Sequence, residues 1–308
     1  MIPDRFHFLE AQAASSGLLR SLIEDGFAIV RGAASPDFVA RFGAGLDQRF
    51  EHTPYCVGPF HGPRTKRFHR LLARAPEAEA LVLQAPIFEA VQAILGGWCD
   101  FPELNLAQGV EIHPGALEQI PHCDQAMWPA PKGAIEYCVN VFWPVTRFTP
   151  ENGATRIWPR THFRPRQPGE PLASPFICEL EPGDAMVILG STMHAAGANM
   201  SAVPRRAAIF SYCLGWLKAY ENQSLAYSID EVRAMDPAIA PLLGYRWHRP
   251  NLGTFDGQCP SILLEDEHED HLATIDALSP EHVEMVESFA LAAARGSGGT
   301  AIAAGRTQ

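Results

Sequence analysis

The alternation of apolar and polar positions changes period once along the chain, near residue 100. Before that point apolar residues recur at helical spacing. Leu18, Leu19, Leu22 and Ile23 share one side of a segment over 16–25, and Gly26 is placed to stop it. Phe27–Val30 is a short apolar run that reads as a strand. Ser35 is a helix cap, followed by Val39, Phe42, Leu46 and Phe50 at helical spacing. Residues 52–66 form a loop rich in Pro, Gly and His, and 75–95 a helical stretch interrupted near Pro86.

After residue 100 the pattern becomes short β-branched or aromatic runs bounded by Pro and Gly, over 104–113, 135–143, 176–180 and 206–217. Glu181-Pro182-Gly183-Asp184 is a type II turn signal, and Ala185–Leu189 is a buried strand. Helices followed by a run of strands predict a mainly β fold, a barrel or jelly roll with N-terminal and peripheral α-helices. We expect one domain over 1–285. Its helical part covers about 1–100, its jelly-roll core about 101–220 and a C-terminal extension about 221–285. The Ala/Gly-rich segment 286–308 is expected to be a tail, helical at first and then flexible.

Composition narrows the function. The 308 residues are 47% hydrophobic and 19% charged, which excludes a disordered chain. A net charge of −11 disfavours nucleic acid and anionic membranes as partners. The seven cysteines show no C-x-x-C pair, so a disulfide framework or zinc ribbon is not expected. Residues 1–16 carry Asp4 and Glu10 and no long apolar stretch, so no secretion signal is expected and the cytoplasm is the expected compartment. No apolar run reaches the length of a membrane span.

The chemistry concentrates in three places. Pro121-His122-Cys123-Asp124-Gln125 carries an H-x-D pair, and on an extended strand residues i and i+2 face the same way. His194 follows the Ala185–Leu189 strand, among small residues. Two His and one carboxylate on a β-barrel form the facial triad of non-haem Fe(II) oxygenases, with positions open for a cosubstrate and O2. Arg205 comes eleven residues after His194. Its fork suits a carboxylate, which in such an enzyme belongs to the distal end of 2-oxoglutarate. Each feature alone has a plainer explanation as a turn pair, a core His or a solvated edge. Their order along one barrel is what gives them weight.

These stretches, with Glu151-Asn152-Gly153-Ala154-Thr155, Ser191-Thr192-Met193-His194 and Pro204-Arg205-Arg206, resemble the phytanoyl-CoA dioxygenase family of Fe(II)/2-oxoglutarate oxygenases. The resemblance implies a double-stranded β-helix with Fe(II) held by His122, Asp124 and His194, and 2-oxoglutarate anchored by Arg205. Thr155 and Asn140 are further candidates on the cosubstrate. Gln119 reads better as ladder polarity. Arg206 is the fallback for Arg205, because neighbouring strand residues face opposite ways. The basic stretch Arg64, Lys66, Arg67, His69 and Arg70 is either a solvated helix start or a border of the active site, where Arg67 would meet an anionic substrate or 2-oxoglutarate. Trp128 is expected to wall the substrate pocket or else to pack in the core, and the loops 52–70 and 125–134 with the region after 218 are expected to supply the other walls. The implied reaction is hydroxylation of a small organic substrate, with O2 consumed and succinate and CO2 released. Halogenation is rejected because Asp124 fills the position a halide would need. A non-catalytic ligand- or metal-binding jelly roll, or a cupin-type metalloenzyme independent of 2-oxoglutarate, are the alternatives, and Arg205 argues against both. Neither the substrate nor the oligomeric state is legible.

Overall fold

The computed structural model describes residues 17–164, 170–267, 269 and 271–296. Strands β1 (Phe27–Val30), β2 (Thr65–Phe68), β3 (Pro102–Ile112), β4 (Cys138–Pro144), β7 (Ala185–Leu189) and β9 (Arg205–Leu214) form one six-stranded sheet. Its order is β1-β7-β4-β9-β3-β2. Strands β5 (Thr155–Ile157), β6 (Phe176–Ile177) and β8 (His194–Ala196) form a three-stranded sheet of order β6-β5-β8. Every ladder is antiparallel. The two sheets face each other as a jelly roll.

Side-chain parity sorts the large sheet into two faces. Leu106, Val110, Met186, Ile188 and Ile209 point toward the small sheet and meet Phe148, Ile157 and Leu180 there. Val139, Val141, Val187 and Phe210 point the other way, onto a layer of helices. These are α1 (Gly17–Asp25), α2 (Pro36–His52), α3 (Leu71–Arg74), α4 (Ala78–Val82) and α5 (Ala85–Leu95). Leu22, Phe42, Leu46, Val91 and Ile94 fill that interface.

The local signals act as the pattern predicts. Ser35 Oγ accepts the Phe38 N–H at 3.3 Å and opens α2. Gly26 ends α1 at φ +84°, a conformation other residues resist. At the Glu181–Asp184 turn Gly183 has φ +96°, and the Asp184 N–H returns to the Glu181 carbonyl at 3.0 Å. The expected break near Pro86 falls just before it: Gln84 caps α5 through the Ile87 N–H at 3.2 Å, and Pro86 sits in the first turn.

The N-terminal part is less helical than its pattern predicts, because it supplies both edge strands of the large sheet. The basic stretch is strand β2, not a helix start. Phe68 drives this, burying its ring against Phe50 at 5.0 Å while Arg67 pairs with Val110 of β3. C-terminal to β9 the chain forms α6 (Gln223–Ala226), α7 (Ile229–Ala234), α8 (Ile239–Leu242) and α9 (Pro280–Gly296). Within the expected tail, helix α9 runs to Gly296, and residues 297–308 lie outside the described residues, as does the expected leaderless stretch 1–16. No helix among the described residues is long and apolar enough to cross a membrane.

Candidate metal centre and cosubstrate cavity

His122 and His194 meet at the rim between the two sheets. Their backbones exchange two hydrogen bonds, His122 N–H to His194 O at 3.0 Å and His194 N–H to His122 O at 2.9 Å. Asp124 joins them differently from the expected strand geometry. It begins a 3-10 turn, Asp124–Met127, so the i, i+2 rule is not what aligns it. The turn is tied down by the Gln125 N–H on the Gly190 carbonyl at 3.0 Å.

The three side chains converge, with their ligand atoms all within 4.8 Å of one another. His122 Nε2 lies 3.5 Å from Asp124 Oδ1, and His194 Nε2 lies 3.4 Å from Oδ2. The Nδ1 of His122 sits 2.9 Å from the Ile120 carbonyl and that of His194 3.1 Å from the Thr192 carbonyl. A carbonyl only accepts, so Nδ1 carries a proton in each ring, and Nε2, which here faces Asp124, is the atom each ring would offer a metal. Burial works against ionising Asp124, but attraction to His194 and hydrogen bonds from both rings hold its carboxyl well below the usual carboxylate range. The same pairing raises His194 despite its burial. Two imidazole nitrogens and one carboxylate oxygen, on one side of a shared point and with the other side open, fit Fe(II).

The open side is a cavity of about 310 Å3. Inward parity lines it with Gln108, Val110 and Ile112 of β3, Asn140 and Phe142 of β4, and Arg205, Ala207, Ile209 and Ser211 of β9. Asn140 donates its Nδ2–H to Asp124 Oδ2 at 2.8 Å. Thr155 enters from β5, opposite Ala196. Gln119 lines the wall too, but its amide is spent on backbone, accepting from Ala196 N–H at 3.1 Å and donating to the Phe60 carbonyl at 3.4 Å.

Arg205 is 6% exposed. It donates to the Gly153 carbonyl and lies over the Phe148 ring at 4.3 Å, while its Nε has no hydrogen-bond partner. Among the described residues no carboxylate reaches it. Burial, reinforced by Arg67, pushes its guanidinium down to about 9, which leaves it charged at neutral pH. A buried cation without an anion is costly, so the geometry calls for a carboxylate from outside the protein. Arg206 faces the other way, with Nε 2.5 Å from Glu111 Oε2 and a second bond to Asp47. Arg67 also reaches the cavity, its guanidinium 3.5 Å from Gln108 Oε1. Burial lowers it and attraction to Asp124 partly restores it.

Trp128 does not wall the pocket as first expected. It lies outside the cavity lining, packed edge-on against Tyr137 with ring centroids 6.2 Å apart, and its indole N–H bonds the Lys218 carbonyl at 2.9 Å. The 3-10 turn after Asp124 points Ala126 and Met127 at the cavity instead and rotates Trp128 into the core. The wall also includes Phe60, His61, Asn105 and Tyr220, which the sequence does not single out. Phe60 stands edge-on to His122 at 4.9 Å. Burial first, and then Arg67, push His61 down to about 4, so it is neutral at pH 7. Strand parity on β3 would have found Gln108; nothing local marks the loop residues.

Glu136 is a further unforeseen group, fully buried beneath the turn that precedes His194. Its carboxyl accepts the Ser191 N–H at 3.0 Å and its hydroxyl at 2.5 Å. Burial outweighs these bonds and pushes the carboxyl up to about 8.

The chain is similar in sequence to proteins named as dioxygenases and in fold to solved 2-oxoglutarate-bound structures. The multifunctional dioxygenase prhA of Penicillium brasilianum is 29% identical over 273 residues, covering 80% of this chain and 88% of that one. The dioxygenase aneA of Aspergillus aculeatus is 30% identical over 255 residues, covering 77% and 84%. In fold, the chain is similar to the epimerase SnoN in complex with Fe3+, alpha ketoglutarate and nogalamycin RO. The TM-score is 0.55, with 19% identity, and the match covers 67% of this chain and 85% of that one. It is similar as well to HygX of Streptomyces hygroscopicus with nickel, 2-oxoglutarate and hygromycin B bound, at TM-score 0.55 and 16% identity over 67% and 90% of the two chains. Residues 22–207 match the family described as Phytanoyl-CoA dioxygenase (PhyH). The chain belongs to the phytanoyl-CoA dioxygenase family and is an Fe(II)/2-oxoglutarate-dependent dioxygenase.

Proposed function

We propose that His122, Asp124 and His194 hold the iron, that Arg205 with Thr155 holds the distal carboxylate of 2-oxoglutarate, and that the enzyme hydroxylates an unactivated C–H bond of a small organic substrate. The observation that carries this reading is Arg205, a buried cation without a carboxylate partner in the same cavity as the triad. A mere metal binder, or a cupin enzyme that uses O2 alone, has no use for it.

Fe(II) bound there supplies O2 activation coupled to decarboxylation of 2-oxoglutarate. The chain's own residues bind, orient and exclude water. Asn140 fixes one oxygen of Asp124. Arg67, attracted to Asp124 across the cavity, is set to neutralise a second carboxylate beside the metal, which suits the keto-acid end of 2-oxoglutarate better than a distant substrate group. Phe142, Phe148 and Ile209 keep the chamber dry. Phe60, Met127 and Tyr220 line its partly exposed wall and favour a substrate with apolar surface. The neighbours named above hold nogalamycin RO and hygromycin B, in keeping with a small-molecule substrate. Seven cysteines, none in a disulfide, fit a reducing cytoplasm.

The test is succinate formation from 2-oxoglutarate by the Fe(II)-loaded protein in air, with a metabolite panel screened for stimulation. Stoichiometric iron binding without any succinate, with or without the panel, would leave the binding-protein alternative standing.

A further inference from the structure

A second pocket, of about 370 Å3, lies at the edge of the large sheet, at strand β2. It is lined by Arg49 and His52 from the last turn of α2, by Phe68 and His69 at the end of β2, and by Arg74 at the end of α3. Arg67 borders both this pocket and the metal cavity. The chain carries a net charge of −11, yet among the described residues no acidic one lines this pocket.

Neighbouring cations are satisfied by the protein itself. Arg70 pairs with Glu231 at 3.0 Å, Lys66 donates to the Phe50 carbonyl at 2.7 Å, and Arg206 holds Glu111 and Asp47. Arg49 and Arg74 differ: among the described residues neither has a carboxylate within ion-pair distance. Arg74 lies over the Phe68 ring at 5.7 Å; burial lowers it first, Arg49 and Arg70 repel it, and Glu221 and Tyr227 attract it. Glu221 is already engaged, accepting the Arg70 N–H at 2.9 Å, and its other oxygen is 4.0 Å from His69 Nδ1. His52 Nδ1 is already held by the Gln48 carbonyl at 2.8 Å, but the two free forks alone offer more donors than a single carboxylate accepts. A tetrahedral dianion, with oxygens directed to several sides, matches them.

We propose that this pocket is an anion site for a phosphate group, held by Arg49 and Arg74 with His52 and His69 at its sides. It stands on charge and cavity alone, independently of the oxygenase reading.

The test is calorimetric titration of the full chain with inorganic phosphate, phenyl phosphate and acetate, in excess 2-oxoglutarate so that Arg205 is occupied. The comparison is wild type, the double variant Arg49→Gln/Arg74→Gln and the control Arg41→Gln, which alters an exposed residue of α2 outside the pocket. We expect phosphate binding to wild type and to Arg41→Gln, and at least about tenfold weaker binding to the double variant, the loss expected for two charge-assisted contacts. Tighter binding of phenyl phosphate assigns the pocket to a phosphorylated organic ligand, and equal binding to the free ion; both support the proposal. Unchanged binding by the double variant, no binding by wild type, or acetate binding as tightly as phosphate would overturn it.

Discussion

Asn140 Nδ2 donates to Asp124 Oδ2 at 2.8 Å, from the middle of a strand hydrogen-bonded on both sides. Asp124 itself sits on a 3-10 turn and has no ladder of its own to aim it. A strand paired on both sides therefore orients the ligand that has no ladder of its own. Asn140→Leu should weaken Fe(II) or Mn(II) binding by about 10–100-fold, the range for residues that orient metal ligands. Metal titration of the purified variant decides it, and unchanged affinity would show that the bond does no orienting.

Removing a ligand should be more severe. His122→Ala, Asp124→Ala and His194→Ala are each expected to lose stoichiometric Fe(II). Metal analysis after anaerobic loading is the check, and full occupancy in all three would move the site elsewhere.

The two adjacent arginines should separate cleanly. Arg205→Ala removes the cavity's cation and should weaken 2-oxoglutarate by about 2–5 kcal/mol with iron affinity largely kept. Arg206→Ala should leave 2-oxoglutarate binding near wild type. It strips a partner from Glu111, which is 2% exposed, and should cost about 1–3 kcal/mol of stability. Cosubstrate titration and chemical denaturation read the two effects, and the reverse order would mean that the strand register is wrong.

Glu136 gives a pH dependence with a definite sign. Its folded carboxyl titrates near 8 against an ordinary value of 4.5, so the fold favours the protonated form. Its contribution is full below about 4.5 and is lost as pH rises toward 8, at about 1.4 kcal/mol per unit of separation. Glu136→Gln, which keeps the acceptor and removes the charge, should flatten the stability profile between those limits. Denaturation midpoints measured across pH 5–8.5 are the readout, and a wild-type profile no steeper than the variant's would count against a buried protonated carboxyl.

The jelly roll was legible because it rests on local pattern, period-2 runs and turn residues, and the H-x-D with a distant His marked three side chains that the fold brings together. Parity on one strand says that only one of Arg205 and Arg206 can face the cavity; the spacing of the resembling family is what favours Arg205. What was not legible depends on where loops travel. Trp128 follows Asp124 closely, yet a 3-10 turn sends it into the core. Phe60 and His61 reach the cavity from the loop over 52–70, expected as a pocket wall, but nothing in its sequence tells which of its residues face in. Strand β2 was hidden because four residues at a sheet edge carry too little periodicity to outweigh their charges.

The reciprocal backbone bonds between His122 and His194 join segments that are far apart in sequence, at the rim where the barrel opens. A cation gripped by both imidazoles is thus also a cross-link, closing the whole stretch of chain between them much as a disulfide closes a loop. Only the folded chain brings these ligands together, so loading the metal should raise the stability of the fold as well as complete the site, and the ion that equips the barrel for chemistry also ties its rim together.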